Sequence, residues 1–138
     1  IESAQAASKI RVLIKNCESK LDAPFDGEES ITLYADLEAG ISGSMSSALL
    51  TEKIAPVIDC FLNNEKEKAE DAYNYILPLI NFENRQCGFR GTKTVMKEGG
   101  VIKSDFCRHP IKPLDAETKK LLFNFAKKYD LLTYKWGK

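Results

Sequence analysis

Only two short stretches of this chain read as β-strand, and two strands do not make a sheet that is stable by itself. Leu21, Ala23 and Phe25 alternate with polar residues up to Asp26-Gly27, the period-two pattern of a half-buried strand. Ile41 to Ser47, short and built mostly of small residues, reads as the second. Between them, Glu28 to Glu38 are good helix formers, and Gly40 supplies a stop signal at the C′ position. Strand, helix, strand, helix at this spacing is the signature of parallel βα units. The chain is therefore expected to be the C-terminal part of an α/β protein followed by a helical extension, with the missing strands before Ile1. Its first residues, Ile1-Glu2 rather than Met, fit either a removed segment or a piece of a longer polypeptide.

Helical periodicity governs the rest. Ala6, Ile10, Leu13, Ile14 and Cys17 recur at spacings of three and four, which predicts a one-sided amphipathic helix. Ile54, Val57, Ile58, Phe61 and Leu62 form a second face, with Thr51 as a candidate N-cap and Pro56 expected to delay or bend the helix. Ala69, Ala72, Tyr73, Ile76 and Ile80 form a third, which Pro78 is predicted to kink. A shorter helix is expected from Gly88 to Glu98, closed by Gly99-Gly100. The two X-Pro steps at His109-Pro110 and Lys112-Pro113 favour an extended path. Asp115 then reads as the N-cap of a last helix with Thr118, Leu121, Leu122, Phe125, Ala126 and Tyr129 on its inner face.

Composition narrows the function classes. The 138 residues carry 20 Lys+Arg against 20 Asp+Glu and are 43% apolar, enough for a packed core and too apolar for a disordered chain. Zero formal net charge speaks against a long nucleic-acid-binding stripe. The longest apolar runs, such as Ile76 to Ile80, fall far short of the roughly 20 residues a membrane helix needs. Cys17, Cys60, Cys87 and Cys107 form no Cys-x-x-Cys pair, and His109 is the single histidine. A zinc site wants about four ligands with a close pair, so free, mostly buried thiols in a reducing, cytoplasmic compartment are expected. No secretory signal is recognisable.

Several blocks, in order, resemble a known family. They are Ile1-Glu2, the Lys9 to Ile14 helix, Phe25-Asp-Gly-Glu-Glu29, Ala35-Asp-Leu-Glu-Ala-Gly40 and Gly43-Ser-Met45. Together they resemble the dihydrodipicolinate synthase / N-acetylneuraminate lyase family of Schiff-base enzymes. Leu77-Pro-Leu-Ile-Asn81, Glu83-Asn-Arg-Gln86, Met96 to Ile102, Arg108-His-Pro110 and Lys135-Trp-Gly137 are similar to its L-2-keto-3-deoxyarabonate dehydratase branch. The resemblance implies a (β/α)8 barrel with extra C-terminal helices. Residues 1–48 would be its strands six to eight, and residues 49–138 its last helix and the helical extension. Active sites of such barrels lie at the C-terminal ends of the strands.

What the resemblance implies for the site follows residue by residue. The imine-forming lysine would directly precede Ile1, so no catalytic residue is expected within this chain. Gly27, Glu28 and Glu29 after one strand, and Met45, Ser46 and Ser47 after the next, would contact substrate. Glu28 or Glu29 would bind distal hydroxyls or protonate the leaving one, although glutamates also favour the first turn of a helix simply through its dipole. Gly27 would allow close backbone approach or a positive φ. Met45 would offer a backbone contact to the pyruvoyl end, or pack in the core. Ser46 and Ser47 would donate to substrate or cap the following helix, and Ser46-Ser47-Ala48 departs from the branch pattern, which is nearer Thr-Gly-Gly. His109, in a Pro-flanked connector, is not expected to be a base, and Lys93 and Lys97 are expected on a solvated or salt-bridged face. Glu83 and Glu98 interleave with Arg85, Arg90, Lys93 and Lys97, which weakens any phosphate-site reading. Tyr134 and Trp136 are expected to pack down the tail.

The expected function is that of a cytoplasmic Schiff-base lyase acting on a 2-keto acid, as a 2-keto-3-deoxy sugar-acid dehydratase. No cofactor and no metal are implied. The partners would be the small-molecule substrate, the N-terminal half of the same barrel and further copies in a homo-oligomer, tetrameric by resemblance. The alternatives are a 4-hydroxy-tetrahydrodipicolinate synthase or related pyruvate-dependent aldolase, and, from another class, a non-catalytic helical binding or assembly module.

Overall fold

A computed structural model describes residues 4–17, 20–22 and 24–138. Ile1-Glu2 and Ala23, used above, lie outside the described residues. The elements run α1 (Ala6–Cys17), β1 (Phe25–Asp26), α2 (Leu33–Glu38), β2 (Gly43–Ser44), α3 (Thr51–Leu62), α4 (Lys66–Phe82), a π-helical turn (Glu83–Cys87), α5 (Gly88–Glu98), α6 (Ala116–Lys128) and α7 (Leu132–Lys135). Helix dominates and the sheet is small. The chain divides into two compact units, one of Ile1–Ser46 with Lys53–Leu77 and one of Ser47–Glu52 with Pro78–Lys138.

In the first unit the two strands pair in parallel, Phe25 opposite Gly43 and Asp26 opposite Ser44. They are shorter than the alternation suggested. Main-chain bonds extend the ladder on both sides, from Ser42 N–H to Pro24 O at 3.2 Å and from Met45 N–H to Asp26 O at 2.9 Å. Gly43 lets the Phe25 ring lie against the ladder, since a Cβ would meet the ring at 2.8 Å and push it aside. The core gathers Ile10 of α1, Leu33 and Leu37 of α2, Ile41, Val57 of α3, and Ala69 and Tyr73 of α4, all buried. Gly40 ends α2 at a φ of +105°, with Ile41 N–H bonded back to Asp36 O at 3.2 Å, the left-handed C′ termination its position predicts.

The helix expected from Glu28 begins instead at Leu33. The Asp26 carboxylate takes the N–H groups of Glu28 (3.0 Å) and Ser30 (2.8 Å), and Glu29 and Ser30 turn to φ of +55° and +70°. Two successive residues in the left-handed region cannot belong to a right-handed helix, so α2 starts only beyond them.

In the second unit α5 packs on the π-helical turn, on α6 and on α7, around Leu79, Ile80, Val95 and Leu122. Asp115 caps α6 as its position suggests, accepting from Glu117 N–H at 3.1 Å and Thr118 N–H at 2.9 Å. Helix α3 starts at Thr51 itself rather than after it and runs through Pro56. Helix α4 runs through Pro78 to Phe82, where the wider turn Glu83–Cys87 takes over. Neither that turn nor α7, which Glu52 caps by accepting from Leu132 N–H at 2.9 Å, is visible in the hydrophobic pattern. Gly99 and Gly137 explain two of the sequence blocks. Gly137 N–H donates to Gly99 O at 2.7 Å, and a Cβ on Gly99 would lie 1.9 Å from Thr133 O.

No helix among the described residues is long and apolar enough to cross a membrane. All four cysteines are free, Cys87 and Cys107 buried, Cys17 and Cys60 half-buried. Tyr134 packs against Phe123 with ring centres 5.7 Å apart. Trp136 does not pack down the tail as expected: it is 68% exposed, because Gly137 rather than the indole makes the closing contact.

Candidate functional site

Sequence reasoning places six residues at the ends of the two strands, and the structure gives them different surroundings. Gly27, Glu28 and Glu29 are half-exposed in the loop between β1 and α2. Since α2 begins only at Leu33, neither glutamate sits in a helical first turn, and the dipole explanation for their presence does not apply. The left-handed conformations of this loop fall at Glu29 and Ser30, one and two residues beyond the pair Gly27-Glu28.

Asp26 organises the loop. It is fully buried, and besides the Glu28 and Ser30 N–H groups its carboxylate accepts from the Ser44 hydroxyl of β2 at 2.9 Å. Because Ser44 spends its only proton on Asp26, the 2.7 Å contact between the Ser30 and Ser44 hydroxyls has Ser30 as donor. From α4, the Tyr73 hydroxyl donates to Ser30 O at 3.2 Å and to Ile31 O. Burial pushes the Tyr73 phenol up to about 12, with the Asp26 and Asp36 charges adding to it.

Asp36 of α2 is buried in the same unit. One carboxyl oxygen accepts from Thr32 at 2.7 Å, and the other has no hydrogen-bond partner among the described residues. Burial raises its pKa above the ordinary carboxylate range, the Thr32 bond opposes this, and the charges of Asp26 and Glu28 add to the rise.

At the end of β2, Met45 is 68% exposed, so its side chain is not core, while its N–H belongs to the ladder. Ser46 is half-exposed. Ser47, in the second unit, is engaged within that unit. Its hydroxyl donates to the buried Glu83 carboxylate at 3.1 Å, lies 2.8 Å from the Thr92 hydroxyl and accepts from Leu49 N–H at 3.2 Å. Thr92 itself donates to Glu83 at 2.6 Å. Lys97 pairs with Asp105 at 2.8 Å, and Lys93 donates to Phe106 O. Both lysines are thus engaged on the face of α5, as expected. His109 is exposed in the connector before α6.

Sequence reasoning missed the roles of Asp26, Ser44, Asp36 and Tyr73. The first of these had a local signal, an aspartate at a strand end followed by Gly and a polar turn, a pattern that favours side-chain capture of main-chain N–H groups. The others depend on packing between distant segments.

Residues 3–129 match the family model described as the Dihydrodipicolinate synthetase family. The chain belongs to this family. An L-2-keto-3-deoxyarabonate dehydratase of Azospirillum brasilense is 40% identical over 137 residues, which is 99% of this chain and 44% of that protein. Among solved structures, dihydrodipicolinate synthase from Rhodopseudomonas palustris superposes with a TM-score of 0.83 at 20% identity, covering 93% of this chain and 44% of that one. The enzyme from Aquifex aeolicus gives 0.81 at 21% identity, covering 94% and 44%. The chloride-inhibited enzyme from Acinetobacter baumannii, complexed with pyruvate, gives 0.78 at 21%, covering 95% and 45%. This dihydrodipicolinate synthetase family chain thus shares its fold with the matched part of each synthase. It spans less than half the length of the relatives it matches.

Proposed function

We propose that this chain is the C-terminal part of a Schiff-base-forming lyase for 2-keto acids, a 2-keto-3-deoxy sugar-acid dehydratase. The observation that carries the reading is the 40% identity to the Azospirillum brasilense dehydratase over 99% of this chain, twice the identity to the Rhodopseudomonas palustris synthase. The parallel β1–β2 pair, with Phe25 49% exposed, supports residues 1–48 as the end of a (β/α)8 barrel and residues 49–138 as its last helix and extension.

On this reading a lysine directly preceding Ile1 condenses with the C2 ketone and releases water. The imine draws electrons from C3, a C3 proton leaves, and the resulting enamine expels the C4 hydroxyl as a second water once an acid protonates it. With a 2-keto-3-deoxypentonate, expulsion leaves a C3=C4 double bond conjugated to the iminium. Loss of a C5 proton and protonation at C3 give an enol across C4 and C5, which takes a proton at C4 to become the aldehyde. Hydrolysis of the imine then releases 2,5-dioxopentanoate and the lysine. Gly27, Glu28 and Glu29 face and bind the distal hydroxyls. The main chain at Met45 and the hydroxyl of Ser46 serve the other end of the substrate, whereas the Ser47 hydroxyl is taken up by Glu83 and Leu49 N–H. The position of the glutamates outside any helical turn supports a contact role for them. The working protein is a cytoplasmic homo-oligomer, tetrameric by resemblance.

The test is a substrate panel on the protein expressed from the complete reading frame. Formation of 2,5-dioxopentanoate from 2-keto-3-deoxy-L-arabonate is expected. Condensation of pyruvate with aspartate semialdehyde in its place would assign a synthase. Inactivity of the full-length protein, together with cooperative unfolding of residues 1–138 alone, would favour a helical binding module.

A further inference from the structure

The loop that bears Glu28 and Glu29 is held by a charged group that does not itself face the substrate. Asp26 is the second residue of a two-residue strand and is fully buried, a costly place for a carboxylate unless hydrogen bonds replace its water. Three do: from Glu28 N–H at 3.0 Å, from Ser30 N–H at 2.8 Å and from the Ser44 hydroxyl at 2.9 Å. The first two bracket Glu29. Glu29 and Ser30 are two consecutive non-glycine residues at φ of +55° and +70°. Such conformations persist only where the surroundings over-determine them, and they gather at ligand-holding loops.

An apolar residue at position 26 would fill the same space without desolvation cost, but it would leave the Glu28 and Ser30 N–H groups and the Ser44 hydroxyl without this acceptor, and the left-handed conformations of Glu29 and Ser30 would lose the bonds that hold them. The loop would then be free to relax, carrying the glutamates away from their present positions. Ser44 adds the second strand to the arrangement, so the loop is referenced to β2 as well as to β1. We infer that Asp26 is a positioning residue for substrate recognition, fixing the Glu28-Glu29 loop through its three accepted hydrogen bonds. It sets the affinity for the hydroxylated end of a sugar acid and not the reactivity at its 2-keto end. This rests on the dehydratase reading above.

Asp26→Asn keeps the volume, but the amide cannot accept all three bonds, since an NH2 group that only donates replaces one of the two oxygens. In the full-length protein it is expected to raise KM for 2-keto-3-deoxy-L-arabonate about tenfold with kcat changed less than threefold. Borohydride trapping of pyruvate, which has no distal hydroxyls, should proceed at a rate within twofold of wild type. Ser44→Ala removes one of the three bonds and spares both main-chain ones, so it should give a smaller rise in KM with the same split. If Asp26→Asn leaves KM unchanged, or lowers pyruvate trapping and sugar-acid turnover in parallel, the positioning role is overturned. Should the wild-type protein trap neither keto acid, the Schiff-base reading itself fails and this assignment with it. Those two failures are separable, because only the second is visible without any variant.

Discussion

The Tyr73 hydroxyl donates to the carbonyl oxygen of Ser30 at 3.2 Å, so one side chain of α4 ties down the segment that leaves β1. The same hydroxyl reaches Ile31 O. Ser30 is fully buried, and its carbonyl has little access to water if the phenol is removed. Tyr73→Phe is therefore expected to destabilise the full-length protein by about 1–3 kcal/mol, the usual cost of an unmet buried acceptor. Urea unfolding of the two proteins measures it, and an unchanged midpoint would mean the loop is held without Tyr73.

Asp36 makes stability depend on pH. Burial holds its carboxyl above the ordinary range, so the native state binds this proton more tightly than the unfolded chain, where an aspartate titrates near about 3.9. Its contribution is complete below that value and is lost as pH rises through the higher folded one. Asp36→Asn stays neutral throughout and can still accept from Thr32. The Tm of the variant minus that of wild type is expected to grow from pH 4 to pH 8, and a difference constant over that range would contradict the placement of the proton.

Cys87 should be the slow thiol. Burial pushes it up to about 12, with the Glu83 and Asp115 charges adding, and the thiolate is the reactive form. Alkylation of the native protein at pH 8 followed by peptide mapping is expected to label the half-buried Cys17 and Cys60 well before Cys87. Equal labelling would show that the π-helical turn opens.

A Cβ on Gly99 would fall 1.9 Å from Thr133 O and one on Gly100 2.7 Å from Gly137 O. These are backbone atoms with no rotamer to turn aside. Gly99→Ala is thus expected to cost about 1–3 kcal/mol, as overpacking typically does, and to release the C-terminal turn. Faster proteolysis after Lys135 would report it, and unaltered cleavage would contradict it.

Where the chain could be read from its sequence, the signal was local. The i, i+3, i+4 spacing of Ala6, Ile10, Leu13 and Cys17 gives α1 within its observed bounds, and Asp115 caps α6 because its acceptors and donors lie within three residues. The late start of α2 has an equally physical reason. Propensity favours a helix from Glu28, but Glu29 and Ser30 stand at φ of +55° and +70°, which no right-handed helix contains. Ser47 illustrates what no local pattern carries: its partners Glu83 and Thr92 lie 36 and 45 residues away. The glutamate loop was legible as a candidate site, whereas the group that shapes it, Asp26, read only as the end of a strand.

Locating the reactive amine tests the central claim most directly. The protein from the complete reading frame would be treated with borohydride in the presence of 2-keto-3-deoxy-L-arabonate, digested, and mapped by mass spectrometry. The expected result is a reduced adduct on a lysine immediately preceding Ile1. No adduct, or one on a lysine within residues 1–138 such as Lys93 or Lys97, would contradict it.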